Sequence, residues 1–208
     1  MMKSKKGFTL TELLLTLTII GIIASYTIPT LIQNIENTHL RASLRAGYSI
    51  LSQVVTQMAQ DENGVLQTYD SNYANFKTIF KSYFKIIKDC NSFDCVPSTS
   101  TSEIYGTYAG LPANTGYLND GQFILSNGML VMMDNGPGRI LITIDVNSHQ
   151  KKPNIYGKDV FTFQVFDRSV LPVGAPGTIN AGLHSTYCSL SSNNERNGMT
   201  CAALWLLE

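Results

Sequence analysis

Glu12 is the residue whose chemistry most needs explaining, because it lies inside an apolar run. Between Phe8 and Leu31 it is the only side chain that carries a charge at pH 7. The 24 residues of this run, at a helical rise of about 1.5 Å, exceed the roughly 30 Å hydrocarbon core of a bilayer. A carboxylate deep in lipid costs about 2.5 to 3.5 kcal/mol on insertion scales. We therefore expect a cationic partner that offsets the cost.

The residues that flank the run distinguish a retained helix from an ordinary secretory signal. A secretory signal has a cleavage site of small residues after its apolar run. No such site stands out in the sequence that follows, SYTIPTLIQNIENT, whereas Gly7 lies before the run. Lys5 and Lys6 also precede it, so the positive-inside rule leaves the N-terminus in the cytoplasm. We expect the run to stay in the mature protein and to span the membrane once.

The segment KKGFTLTELL, followed by an apolar helix, resembles the class III signal of type IV prepilins and type II secretion pseudopilins. The resemblance implies that prepilin peptidase cleaves between Gly7 and Phe8 and methylates the new amine of Phe8. It also implies that Glu12 guides assembly by pairing with the terminal amine of a neighbouring subunit. An amine and a carboxylate attract strongly in a low dielectric, which offsets part of their desolvation.

The resemblance divides the chain into three parts. These are a cytoplasmic leader that is removed (1–7), a membrane-spanning and filament-core helix (8–31), and an extracytoplasmic globular domain (32–208). A bacterial subunit of this kind is held in the cytoplasmic (inner) membrane and then moves into a periplasmic or extracellular filament. The implied partners are the membrane, copies of itself in a helical filament, other pilins, prepilin peptidase and an inner-membrane assembly platform.

An amphipathic pattern continues after the apolar run, so we predict a single helix from about Phe8 to about Gln60. Pro29 lacks the N–H that would bond a carbonyl one turn earlier, and Gly21 adds a second weak point. In the type IV pili that this sequence resembles, the segment between the matching Gly and Pro loses helicity when the subunit joins the filament. An ordinary proline kink is the alternative.

Four strands are predicted from Gln122 onward. QFILSNGMLVMM contains two apolar runs around Asn127-Gly128, a strong hairpin signal. RILITIDVN (139–147) and DVFTFQVF (159–166) are the third and fourth strands. Short links between consecutive strands give an antiparallel sheet, and its apolar face matches the stripe on the second half of the helix. We predict an α+β fold that resembles the pilin fold: a long N-terminal helix on a four-stranded antiparallel sheet, with a C-terminal disulfide loop.

All four cysteines follow the apolar run and therefore lie on the oxidising side of the membrane, where disulfides persist. Of the three pairings that four cysteines permit, we predict the two local ones, Cys90 with Cys95 and Cys188 with Cys201, because each pair brackets a polar loop. Four buried free thiols are the alternative. In many pilins a C-terminal disulfide loop is exposed on the filament, which implies that residues 189–200 face solvent or a partner.

The connection between the third and fourth strands contains oxygen donors at Asp145, Asn147, Asn154 and Asp159. Some pseudopilins bind Ca2+ in a loop beside the sheet, which makes these four residues candidates for a metal site. The order of an EF-hand loop is absent, and Asx residues near Pro and Gly equally suit tight turns. We favour turns here, and predict neither a metal nor a cofactor.

Charge and motifs argue against catalysis and against nucleic-acid binding. Removing the three leader lysines leaves 12 basic and 15 acidic residues, which is no nucleic-acid footprint. The histidines are scattered, and no nucleophile elbow, Walker loop or dinucleotide fingerprint is present. We predict a structural subunit and not an enzyme. The alternative is a minor pilin that binds DNA or a surface ligand, based on a predicted aromatic-rich helix with one lysine face: Lys77, Lys81, Lys85 and Lys88.

Overall fold

The computed structural model describes residues 7–65, 74–99, 101–136 and 139–207. Of the predicted leader, only Gly7 falls within these ranges. The helices are α1 (Leu10–Asp61), α2 (Ala74–Ser82), α3 (His184–Tyr187) and α4 (Cys201–Leu207). The strands are β1 (Ile86–Asp89), β2 (Gly121–Leu125), β3 (Leu130–Asp134), β4 (Ile140–Asp145), β5 (Val160–Val165) and β6 (Val170–Pro172). The chain forms two compact units, one up to His39 and one from Leu40 onward.

The first unit contains the apolar part of α1. Every large apolar side chain between Phe8 and Ile35 is exposed in the single chain. Among the described residues, α1 is the one helix that is long and apolar enough to cross a membrane, and Glu12 is the acidic residue of its first turn. An apolar surface of this extent requires lipid or another protein around it.

The hydroxyl groups of this segment bond back to the helix that carries them. Each contacts a carbonyl oxygen three or four residues earlier, at 2.8 to 3.3 Å. The donors are Thr16, Thr18, Ser25, Thr27 and Thr30. A hydroxyl that is satisfied within its own helix needs no water. These polar residues are therefore compatible with a hydrocarbon environment.

In the second unit α1 has one buried face that packs on the sheet. Its buried positions recur at helical spacing: Leu40, Leu44, Gly47, Leu51, Val54, Val55, Met58 and Ala59. They share one apolar core with Phe123, Ile142 and Phe163 of the sheet. Tyr48 stacks on Phe163 with 5.6 Å between ring centroids. The predicted packing of the long helix on an antiparallel sheet is confirmed.

The sheet has six strands and not the predicted four. Their order is β1-β2-β3-β4-β5-β6, and each neighbouring pair is antiparallel. The four predicted strands correspond to β2 through β5. The predicted number is wrong because one short edge strand was missed on each side.

Both missed strands have a physical reason. The predicted lysine-faced helix extends to Lys88 and so includes the residues of β1, but α2 ends at Ser82 and Ile86 pairs with Leu125 of β2. β6 is three residues long and ends at Pro172, within a Pro- and Gly-rich segment. A three-residue strand shows too little alternation of apolar and polar residues to be recognised from the sequence. Its place in the sheet is set by its pairing with β5.

The predicted Asn127-Gly128 hairpin joins β2 to β3. Gly128 has a φ of 88°, a conformation that favours glycine, and the Leu125 N–H donates to the Met129 carbonyl oxygen at 2.9 Å. The Asn127 side-chain oxygen accepts a bond from the Met129 N–H at 3.1 Å. Local turn chemistry therefore sets the register of this pair of strands.

The face of the sheet that points away from α1 is also buried. A second apolar cluster joins Leu130, Met132 and Leu141 of the sheet to Tyr105, Tyr117 and Tyr156. Every residue of β4 is buried as a result. Continuous apolar strands are typical of sheets covered on both sides. The long segment between β1 and β2 therefore forms part of a second layer.

Gly47 lies where α1 meets the sheet and provides a test of this packing. A Cβ added there would lie 3.5 Å from Met129 Sδ and 3.6 Å from Ile144. We expect Gly47→Ala to stabilise the fold by up to about 1 kcal/mol, because alanine has the higher helix propensity. Gly47→Leu should destabilise it by about 1 to 3 kcal/mol through overpacking. Urea unfolding followed by Trp205 fluorescence measures both; equal stability of the two variants would contradict the packing.

Candidate functional site

The predicted cleavage site lies directly ahead of α1. Gly7 and Phe8 are both exposed, and the Phe8 side chain is 90% exposed. No heavy atom lies within 4 Å of the position that a Cβ on Gly7 would take. The rest of the described chain therefore leaves the peptide bond between these two residues accessible to a protease.

Thr9 and Glu12 form a capping box at the start of α1. Glu12 Oε2 accepts hydrogen bonds from the Thr9 N–H and from the Thr9 hydroxyl, each at 2.9 Å. The Glu12 N–H donates to Thr9 Oγ1 at 3.2 Å. This reciprocal arrangement satisfies backbone donors that a helix start otherwise leaves unpaired. It also holds the Glu12 carboxylate against Thr9, the residue that directly follows Phe8.

Thr9 was not among the predicted site residues. The sequence nevertheless contained a signal for it, because Thr9 and Glu12 have the spacing of a capping box ahead of an apolar run. Gly21 and Pro29, which were predicted as points of helix breakage, both lie within α1, which is helical from Leu10 to Asp61. The predicted loss of helicity concerns a filament and stays a prediction.

Comparison with known proteins assigns the N-terminal segment. A family model described as the prokaryotic N-terminal methylation motif matches residues 2–27, a range that contains Gly7, Phe8 and Glu12. The chain carries the prepilin signal of the type IV pilin and pseudopilin family. No curated protein and no solved structure matches it. The comparison therefore concerns the N-terminal segment alone, and the globular domain is characterised by the structure.

The chain contains the two local disulfides, Cys90–Cys95 and Cys188–Cys201. The first closes a loop directly after β1, where the Cys90 N–H donates to the Gln122 carbonyl oxygen at 2.9 Å. The second joins the C-terminal loop to the first residue of α4. Each bridge thus fixes a loop to an element of regular structure.

The C-terminal disulfide loop is only partly exposed, which corrects the expectation for residues 189–200. Residues 197–200 are buried. The Asn197 amide donates to the carbonyl oxygens of Ser189 and Ser192 at 2.7 and 3.1 Å, and its own oxygen accepts from the Ser189 N–H. The Arg196 guanidinium lies 5.3 Å from the Tyr117 ring centroid. Only the first part of the loop is therefore available to solvent or to a partner.

The four candidate metal ligands lie together in the connection between β4 and β5, where their hydrogen bonds form turns. Asp145 Oδ2 accepts from the Tyr105 hydroxyl at 2.6 Å. The two carboxylate oxygens of Asp159 accept from the N–H groups of Asn154 and Ile155, each at 2.7 Å. Asn154 has a φ of 56°, as expected for an Asx residue in a tight turn. These contacts agree with the turn interpretation.

Two amide oxygens in this connection, Asn147 Oδ1 and Asn154 Oδ1, are buried without a hydrogen-bond partner. Amide and carboxylate oxygens are the ligands that Ca2+ prefers. Within the described ranges, however, no three His, Cys, Asp or Glu side chains are grouped to hold a metal ion. We expect calorimetric titration of the chain with Ca2+ to give no heat of binding at millimolar ion, because turns account for these residues; a heat of binding would instead support a cation site.

The predicted lysine face is divided between a helix and a strand. Lys77 and Lys81 lie on α2, whereas Lys88 lies on β1. Lys81 forms an ion pair with Asp89, and Lys77 Nζ donates to Ser92 Oγ at 3.3 Å. Desolvation of Lys77, followed by repulsion from Lys81, lowers the Lys77 pKa. Two of the four lysines are therefore engaged within the protein, which does not favour a nucleic-acid surface.

Burial controls the ionisation of Asp145. Desolvation raises its pKa to about 7; the Tyr105 hydrogen bond opposes this increase and the negative charge of Asp159 adds to it. Burial likewise raises the pKa of Asp159, against the effect of its backbone hydrogen bonds. Asp145 therefore stays protonated in the folded domain up to nearly neutral pH, whereas in the unfolded chain it ionises near pH 4.

This difference predicts how stability depends on pH. Between about pH 4 and pH 7 the folded state retains the proton that the unfolded state releases, so stability falls as pH rises. The contribution of Asp145 is on the order of 4 kcal/mol across this range. Urea unfolding at a series of pH values should show a shallower dependence for Asp145→Asn, while the exposed control Glu103→Gln should parallel the wild type. Identical profiles for Asp145→Asn and the wild type would contradict the assignment.

Proposed function

We propose that this prepilin is a structural subunit, a pilin or pseudopilin, of a type IV pilus or a type II secretion filament. The observation that carries the proposal is the position of Glu12, an acid within an apolar helix that begins directly after Lys5-Lys6-Gly7. The matched methylation motif supports it. A subunit of this kind is processed and then polymerised. The catalytic chemistry of cleavage and methylation belongs to the peptidase that acts on it.

The proposed sequence of events starts in the cytoplasmic membrane. The helix from Phe8 to Leu31 spans the bilayer, with the lysines of the leader on the cytoplasmic side. Prepilin peptidase hydrolyses the bond between Gly7 and Phe8 and methylates the amine that this exposes. An inner-membrane assembly platform then moves the subunit from the bilayer into a helical filament, in a periplasmic or extracellular compartment, with copies of itself and other pilins.

Electrostatics gives Glu12 its role in this process. Before cleavage the carboxylate has hydrogen bonds from Thr9 but no cationic partner among the described residues. Cleavage creates a cationic amine on Phe8 in every subunit. In a low-dielectric environment an amine on one subunit and the Glu12 carboxylate on the next attract strongly, and this attraction repays their desolvation only when the two groups are close and well oriented. The pair therefore supplies both energy and register to subunit docking.

Processing is tested by determining the N-terminus and the intact mass of the chain purified from producing bacteria. We expect the mature chain to start at N-methylated Phe8. Gly7→Val should retain the leader, because a β-branched side chain at the scissile bond hinders the close approach that glycine permits. Gly21→Val is the matched control; a Cβ at Gly21 also has no heavy atom within 4 Å, and this variant should be cleaved normally. A mature chain that still starts at Met1, or that is cut beyond Ser25, would refute the proposal.

A further inference from the structure

Trp205, the one tryptophan of the sequence, joins α4 to the start of the second unit. The Arg41 guanidinium carbon lies 4.3 Å from the centroid of the Trp205 ring, and Phe161 lies 6.4 Å from it, centroid to centroid. Trp205 is only partly buried. Its ring is therefore covered by a cation and by the core, and part of it stays at the surface.

Two cations at this end of the domain, Arg41 and Arg45, have no acidic partner among the described residues. In the described ranges, the ion pairs join Lys81 to Asp89, Arg139 to Asp134 and Arg168 to Asp167. Arg41 is exposed and belongs to none of them, and neither does the exposed Arg45, one helical turn further along α1. A guanidinium stacked on an aromatic ring keeps the N–H groups at its edge free, and these match the oxygens of a phosphate.

An exposed apolar residue completes this surface. Leu207, at the end of α4, is 64% exposed, while Leu206 packs partly against the core. Arg41, Trp205 and Leu207, here called the α4 surface, thus combine a cation, an amphipathic ring and an aliphatic side chain. Tryptophan and arginine are enriched where proteins meet the headgroup region of a bilayer, because one part of each side chain is apolar and the other is polar.

Chain connectivity limits how far the α4 surface can be from the bilayer. Arg41 follows Leu31, the last residue of the predicted membrane-spanning segment, by ten residues. Ten residues cover about 15 Å as a helix and at most about 36 Å when fully extended. Arg168 lies at the opposite end of the buried part of α1. Just after this end of the helix, the Val65 N–H donates to the carbonyl oxygen of Asp167, the neighbour of Arg168, at 2.9 Å.

We propose that the α4 surface binds the phosphates of anionic phospholipids in the bilayer that holds the N-terminal helix. Arg41 donates to phosphate oxygens, Trp205 lies at the level of the headgroups, and Leu207 inserts into the upper acyl region. The contact holds the globular domain on the membrane surface before assembly and is released when the subunit leaves the bilayer. This inference rests on the proposed membrane-stored stage of the prepilin.

The test uses the full chain reconstituted in vesicles and the emission of its single tryptophan. The vesicles contain phosphatidylcholine with or without phosphatidylglycerol, and the acyl chains are brominated either near the headgroup or near the terminal methyl. With phosphatidylglycerol present, bromines near the headgroup should quench Trp205 roughly twofold more than the deep bromines, because an interfacial tryptophan lies closer to them. Added salt, or omission of phosphatidylglycerol, should reduce the quenching.

Two variants with the same loss of charge separate the α4 surface from general charge effects. Arg41→Gln should reduce the shallow quenching, whereas Arg168→Gln, at the other end of the domain, should leave it unchanged. Arg41→Lys, which keeps the positive charge, should retain most of the shallow quenching seen in the wild type. If Arg41→Gln unfolds, the comparison of the two wild-type vesicle compositions still decides the outcome.

The outcomes separate this inference from the proposed function. A chain that does not float with the vesicles contradicts the membrane-stored stage itself. A chain that floats while Trp205 shows no preferential shallow quenching overturns the α4 surface alone. Quenching that depends on protein density and not on phosphatidylglycerol would assign the surface to a second copy of the chain and would also overturn the inference.

Discussion

A carboxylate inside a hydrocarbon-compatible helix is the constraint on which the rest of this chain depends. Glu12 is the only charged side chain in 24 residues, and a charge deep in hydrocarbon costs about 2.5 to 3.5 kcal/mol. The capping box with Thr9 supplies hydrogen bonds but no positive charge. In the proposed function, these hydrogen bonds reduce the cost of holding Glu12 in the membrane and leave the carboxylate available to a stronger partner. The proposed cleavage ahead of Phe8 creates such a partner on every subunit.

The same helix meets two different environments, and its sequence changes accordingly. In the first unit the apolar side chains of α1 are exposed and its hydroxyls are satisfied internally. In the second unit only one face is apolar, and the sheet covers it. The core of the folded domain therefore includes the half of α1 from Leu40 onward, while the large apolar side chains of the other half stay exposed in the single chain.

The parts of the fold that could be predicted are those with local signals. Asn127-Gly128 identified its hairpin because the turn itself requires those residues, and two long strands were recognised from their alternation or apolar run. β1 and β6 were missed because strands of three or four residues are fixed by their neighbours. The burial of residues 197–200 was likewise not predictable, since it depends on Asn197 bonding within the loop. The capping role of Thr9 also has a local signal, the three-residue spacing of Thr9 and Glu12 ahead of an apolar run.

The central claim, that the Glu12 carboxylate pairs with an amine created by cleavage, is tested most directly by replacing Glu12 with alanine. Filament yield is measured by shearing or pull-down and by electron microscopy, with Glu36→Ala as a control for loss of one negative charge from α1. The account predicts that Glu12→Ala is inserted into the membrane but forms few or no filaments, while Glu36→Ala assembles like the wild type. Polymerisation of Glu12→Ala at the wild-type level would contradict it.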